Sequence, residues 1–243
     1  MEQQRFVLEP GFVLHQHAYG ENHAIIELFT RELGRVGVVA RGVRSPRSRR
    51  RGLLQPFGEL LLSWQSRGEL GQLSGVEPKG MPMSLSGKRI LSGFYLNEVL
   101  LRLVRREDPH PELYDAYRET LKLLAEGGAE GDTLRLFEKR LLAELGYGLL
   151  LDTDIEGEPI EPDVLYDYRL EQGPVRAGMR PALPIHGTSL LALAAEQLDS
   201  PIQRREVKHL MRHALSAQLG DKPLKSRELY AQRLGQRQEG RKR

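Results

Sequence analysis

Residues 36–57 read VGVVARGVRSPRSRRRGLLQPF. Val36-Gly37-Val38-Val39-Ala40 is apolar and rich in β-branched side chains, the composition of a short strand. It runs into Arg41, Arg44, Arg47, Arg49, Arg50 and Arg51 with no acidic residue among them, and Leu53-Leu54-Gln55-Pro56-Phe57 then resumes the apolar run. Gly42, Ser45, Pro46, Ser48 and Gly52 are turn formers that argue against a helix. The stretch predicts a mobile arginine loop between two strands. Six like charges reinforce one another's field, so the loop suits a polyanion; a solvated charge run is the plainer reading of the same residues.

Outward from this stretch, residues 5–77 keep a strand pattern. Phe6-Val7-Leu8 and Phe12-Val13-Leu14 flank Pro10-Gly11, Ala24–Phe29 is closed by a turn around Gly34, and Glu59–Trp64 turns through Gln65–Gly68 into Leu70–Val76. About five short strands with turn signals every 8–12 residues predict a small β-barrel or sandwich. Beyond Pro78–Pro82 the period becomes helical. Ser86 is placed to cap a helix carrying Ile90, Leu91, Phe94, Val99, Leu101 and Val104. Leu113, Tyr114, Tyr117, Leu121 and Leu124 mark a second helix ending at Gly127-Gly128, and Leu134, Phe137, Leu141 and Leu145 a third, capped by Asp132 or Thr133. Residues from about 147 to 185 break into short pieces between Gly and Pro, which predicts an acidic hairpin insertion. Helical pattern returns at Ser189–Leu198, Ile202–Leu219 and after Ser226, and a disordered basic tail is expected from about residue 235.

Among 243 residues, 40% are hydrophobic and 28% charged, ordinary for a soluble globular protein. No run approaches the roughly 18 apolar residues of a membrane span, and MEQQRFVLEP lacks the pattern of a signal peptide. The chain contains no cysteine, which removes disulfides, thiolate nucleophiles and cysteine–zinc sites and makes a cytoplasmic location the simplest expectation. The net charge of +3 hides a segregation: residues 35–51 are purely basic, acids outnumber bases from Glu107 to Glu171, and bases dominate again from Arg204. Local charge density governs nucleic-acid affinity, because counterions are released from the phosphates contacted.

Catalytic patterns are missing. Ser86-Gly87-Lys88-Arg89 only echoes a phosphate loop, since its upstream glycine is misplaced. His15-Gln16-His17 puts two rings on one strand face without a third ligand, and Asp152-Thr153-Asp154-Ile155-Glu156-Gly157 has calcium-loop spacing but carries Pro159 and lacks flanking helices. No metal, cofactor or catalytic residue is assigned, and the chain is not read as an enzyme. Nucleic-acid binding fits better: single strands need a basic groove and aromatic faces. The loop, with Arg35, offers the first, and Tyr19, Phe29 and Trp64 the second, although Trp64 reads equally well as core. A second basic zone holds Arg204, Arg205, Lys208, Arg212, Lys222, Lys225 and Arg227, with the first four on one helix face.

The order of FVLHQHAYGENHAIIELFTRELGRVGVVARGVRS, LLQPFGELLLSW, SGFYLNEVLLRLVRREDPHPELYDAY, LRLFEKRLLAELGYGL and KPLKSRELY resembles the RecO family of bacterial recombination mediator and DNA repair proteins. The resemblance implies an α+β chain: an N-terminal OB-fold five-stranded β-barrel over residues 1–80, then an all-helical domain over 81–243 with the small inserted β-hairpin region. It also implies a nucleoid-associated protein that binds and anneals single-stranded DNA, binds double-stranded DNA more weakly, and loads the RecA recombinase onto strands covered by single-strand-binding protein, with RecR as a further partner. The zinc site of some members is not carried over, because its four cysteines are missing. The acidic, Phe-ending tail of single-strand-binding protein needs an apolar pocket rimmed by cations, for which Leu113, Tyr117, Arg135, Leu136 and Lys139 are candidates. An RNA-binding OB-fold protein and an interaction scaffold for an acidic partner are the rival readings.

Overall fold

The computed structural model describes residues 4–66, 68–80, 83–230 and 232, so the basic tail expected from about residue 235 lies outside the described residues. The chain is α+β and divides into two compact units, residues 1–128 with 223–243 and residues 129–222. The first unit is built on a closed five-stranded, OB-like barrel. Its strands are β1 (Gln4–Tyr19), β2 (His23–Thr30), β3 (Gly34–Ala40), β4 (Glu59–Ser66) and β5 (Gly71–Pro78), in the order β1-β2-β3-β5-β4. Closure rests on a short parallel pairing, Val38 with Gly71 and Val39 with Gln72, and it removes the free edges that such short strands would expose.

The two pieces read around Pro10-Gly11 are one strand. β1 pairs with β4 through its first half and with β2 through its second, and its register shifts between Phe6 and Glu9 and between Val13 and His15. At the first shift Leu8 takes a φ of 56° and its N–H donates to Ser63 Oγ at 3.0 Å. Such bulges bend a strand sharply enough for it to serve both sides of a small barrel. Alternation then fills the interior with Val13, Ile26, Leu28, Val38, Leu60, Leu62 and Trp64.

Two helices, α2 (Arg89–Leu103) and α3 (Pro111–Glu126), belong to this same unit, so the compact division does not follow the barrel–helix boundary near residue 80. Amphipathic spacing brings Tyr114 and Tyr117 of α3 against Phe12 and Phe29, with ring centroids 5.0–6.1 Å apart. Asn97 of α2 donates to Leu14 O at 2.9 Å and accepts from the Tyr117 hydroxyl at 2.5 Å. Burial pushes both tyrosine hydroxyls far above their ordinary range. Gly127 ends α3 with a φ of 98°, as its sequence position predicts, and the Gly128 N–H returns to Leu123 O at 2.9 Å. The chain rejoins this unit at residues 223–230, where the Glu98 carboxylate accepts from the Lys225 and Ser226 N–H groups and the Ser226 hydroxyl at 2.6–2.9 Å. Partial burial alone would raise the Glu98 pKa, but these bonds outweigh it and hold the group below its ordinary value.

The second unit holds α4 (Glu130–Glu144), α5 (Gly187–Ala194), α6 (Pro201–Leu219) and a sheet of β6 (Leu165–Arg169), β7 (Gly173–Arg176) and β8 (Pro184–His186) in the order β7-β6-β8. The expected hairpin is present as β6–β7, and β8 extends it to three strands. Asp132 and Thr133 lie inside the first turn of α4 rather than at its cap. Its core joins Phe137, Leu141 and Leu142 of α4, Leu190 and Leu193 of α5, and Val207, Leu210, Met211 and Leu215 of α6. The acidic Asp152–Asp163 segment turns on Asp154, whose Oδ1 accepts from the Glu156 and Glu158 N–H groups at 2.9 and 3.0 Å.

Candidate nucleic-acid interface

The arginine segment between β3 and β4 is built, not open. Gly42, at a φ of 67°, donates its N–H to His23 Nδ1 at 3.0 Å, and successive turns follow: Arg44 N to Asn22 O, Ser45 N to Gly42 O, Ser48 N to Ser45 O and Arg51 N to Ser48 O. These turns run into one short helix, α1 (Arg50–Leu53), where turn residues had argued against any helix. Two side chains anchor the segment: Val43 near its start and Leu54 at its end are both buried in the barrel core, and Gln16 of β1 donates its side-chain amide to Leu54 O. The expected free loop is therefore a platform pinned at both ends.

Pinning the apolar residues inward turns the arginines outward. Arg41, Arg44, Arg47, Arg49, Arg50 and Arg51 are all exposed. Arg44 reaches Gly20 O at 3.2 Å and Arg50 reaches Ser74 O at 3.0 Å, so two guanidiniums are steadied by carbonyls while keeping their charge available. Among the described residues none of the six forms an ion pair. Unneutralised charge on a low-dielectric scaffold projects a field to which phosphates respond. Beside the platform, the exposed end of β1 carries His15, His17 and Tyr19, with the two imidazoles 4.2 Å apart and Tyr19 52% exposed.

Three residues assigned to this surface do not belong to it. Trp64 is 0% exposed and stacks on Phe6 at 4.8 Å within the barrel, and Phe29 is equally buried. Strand alternation points Trp64 inward, and Gly71 makes room for it: a Cβ there would lie 2.5 Å from the indole. Neither ring can stack on a base, which leaves Tyr19. Arg35 is also withdrawn. It pairs with Glu27 at 3.4 Å and donates to Leu101 O, while Arg106 pairs with the same Glu27. Burial lowers the Arg35 pKa, and its hydrogen bond to Glu27 raises that of Arg106.

The second basic zone divides as the units do. On α6, a capping box of Ser200 and Gln203 fixes the start of the helix. Its apolar face lies in the core, which leaves Arg205, Lys208 and Arg212 exposed alongside His209 and His213, whose rings are 4.4 Å apart. Arg204 is tied to Asp132 at 2.9 Å and to Leu198 O, so it is less available than its neighbours. Lys225 and Arg227 belong to the first unit. There Lys225 is exposed, and the Arg227 guanidinium lies 5.5 Å from the centre of the Tyr95 ring.

The candidates for the tail pocket fall in different units. Leu113 and Tyr117 are 0% exposed, consumed by packing within the first unit. Arg135, half-buried Leu136 and Lys139 stand on α4 of the second unit, with Arg135 held by Glu138 at 2.6 Å and Lys139 by Glu196 at 3.2 Å. What the second unit does carry is a cavity of about 200 Å³ lined by Leu142, Tyr147, Leu150 and Tyr168 together with Glu171, Gln172 and Gln218, with the Tyr168 hydroxyl pushed up to about 12 by burial. Sequence reading missed it because the lining comes from α4, the hairpin and α6, far apart along the chain. One arrangement looks catalytic and is structural: Ser189 and His186 both bond to Glu206, at 2.6 and 2.7 Å, but Ser189 is buried at the start of α5.

Two family models cover nearly the whole chain, recombination protein O N terminal over residues 3–81 and recombination protein O C terminal over residues 85–228. The proteins called DNA repair protein RecO in Alkalilimnicola ehrlichii and Nitrosococcus oceani are 49% and 46% identical to it. Those alignments cover 96% and 95% of this chain and 94% and 96% of the relatives. The Coxiella burnetii protein of the same name is 44% identical over 93% of this chain and 98% of its own length. An OB-like barrel with an arginine platform, joined to a helical region bearing a small sheet, is thus the form taken here by a chain that belongs to the recombination protein O family.

Proposed function

We propose that this protein is a non-catalytic DNA-repair and recombination mediator that binds single-stranded DNA, anneals complementary strands and helps a recombinase replace single-strand-binding protein. The observation that carries the reading is the arginine platform: six exposed guanidiniums, unpaired by acids among the described residues, on an OB-like barrel. Membership of the family and relatives named for DNA repair support it. Contact is made mainly to phosphates, with Arg205, Lys208 and Arg212 of α6 as further cations, and Tyr19 as the aromatic face. Phosphate contacts fix register without reading sequence, which suits a protein that acts wherever single strands arise. RecR, single-strand-binding protein and, through them, the RecA filament are the partners this role requires, in the cytoplasm at the nucleoid. Among the described residues no helix is long and apolar enough to cross a membrane.

Binding of the full chain to single-stranded DNA and RNA oligonucleotides at several salt concentrations, with annealing of complementary strands measured alongside, tests this reading. The expected result is DNA affinity falling with salt at a log–log slope of about −0.7 per phosphate contacted, with annealing of DNA. Affinity indifferent to salt would sink the reading, and a clear preference for RNA would favour an RNA-processing role.

A further inference from the structure

Between the exposed end of β1 and the arginine platform lies a cleft of about 380 Å³. We propose that it is a nucleobase pocket, which takes one unstacked base of a single strand while Arg44 and Arg51 hold the neighbouring phosphates; this rests on the single-stranded DNA reading above. The volume falls within the roughly 300–1,000 Å³ of small-molecule sites. Its walls combine the three chemistries a nucleotide needs. Ala18 offers exposed apolar surface to the face of a base, with the buried Ala24 and Val43 also lining the cleft. Arg44 and Arg51 stand at its border with no carboxylate paired to them among the described residues, and a planar guanidinium both binds phosphate and stacks on bases.

Gln16 and Gln55 supply the third. Each amide nitrogen donates one hydrogen bond to the platform's own main chain, Gln16 to Leu54 O and Gln55 to Arg51 O at 2.7 Å. Those bonds fix which end of each side chain is occupied. Among the described residues neither carboxamide oxygen has a hydrogen-bond partner, so each of these two lining side chains carries an unused acceptor beside its remaining N–H. Exocyclic amines of adenine, cytosine and guanine are the complementary donors. In a duplex the bases are stacked and paired, so none can enter the cleft unless the helix opens first, whereas an unpaired strand can fill it directly. The site thereby gives a surface of otherwise indiscriminate phosphate contacts a reason to prefer single strands.

The test compares, by fluorescence anisotropy of the full chain, a short mixed-sequence oligodeoxynucleotide with a chain of equal length made of abasic sites, each at two salt concentrations. The pocket predicts similar salt dependence for both and about tenfold tighter binding of the base-bearing strand. Ala18→Leu, which fills the cleft, and Gln55→Leu, on an exposed side chain whose loss leaves the barrel core untouched, should each bring that ratio toward one. Equal affinities, or a ratio that neither variant moves, would overturn the pocket while leaving phosphate binding intact. Failure of both strands to bind with salt dependence would overturn the underlying reading as well.

Discussion

Arginines on one barrel serve two purposes. Around β2, β3 and the helices packed on them, Arg31 is held by Asp115 at 3.1 Å, Arg118 by Asp115 at 2.9 Å, and Arg35 and Arg106 by Glu27. On the platform between β3 and β4, six arginines meet no acid among the described residues and at most touch carbonyl oxygens. Both groups are rich in guanidinium, but only the second has charge to spare for a ligand. An ion pair spends a charge on the fold, whereas a carbonyl contact orients a guanidinium without cancelling it. The difference lies in what stands opposite each side chain. Asp115 lies 84 residues beyond Arg31 in sequence.

Replacing Glu27 should show the largest effect, and on stability alone. Glu27→Gln leaves two partly buried guanidiniums without their counter-charge, which costs about 3 kcal/mol, read as a lower urea midpoint. The salt dependence of DNA binding should stay as it was; a change in that slope would mean that Arg35 and Arg106 contact phosphate after all. Next comes the platform itself. Changing Arg44, Arg47, Arg49, Arg50 and Arg51 together to Ala should weaken single-stranded DNA binding about a hundredfold at low salt and flatten the slope by about 0.7 per lost contact. The same change should move stability by no more than about 0.5 kcal/mol per site. Unaltered DNA affinity would hand the platform to a protein partner.

The smallest effect concerns the histidines between these two groups. Burial first, then the charges of His17 and Lys225, lower the His15 pKa from its usual 6.5, with Glu27 opposing. His15 is therefore neutral at pH 7 and gains charge only below that value. Acidification from pH 7.5 to 5.5 should tighten DNA binding about two- to threefold through added local charge. Changing His15 to Gln should reduce the gain. By linkage the sign for folding is opposite: a lowered histidine pKa means the unfolded chain takes up the proton more readily, so stability contributed by neutral His15 is lost as the pH falls below 6.5.

The sequence by itself determined the features that depend on neighbours in the chain. The strand-to-helix change near Pro78, the left-handed end of α3 at Gly127 and the acid-free arginine run all follow from local spacing, turn chemistry and charge. Tertiary structure decided what depends on residues brought together across the chain. Trp64 went inside because alternation along β4 and the open space at Gly71 put it there. Arg35 was spent on Glu27, and Leu113 and Tyr117 were consumed by packing, although their sequence neighbourhoods look no less suited to ligands than those that remained free. The cleft beside the platform exists because β1 curves past a segment that Val43 and Leu54 pin to the core. Backbone propensity is read over a few residues, whereas burial and charge pairing are settled by whichever side chain stands opposite in space, and that partner is fixed only when the barrel closes.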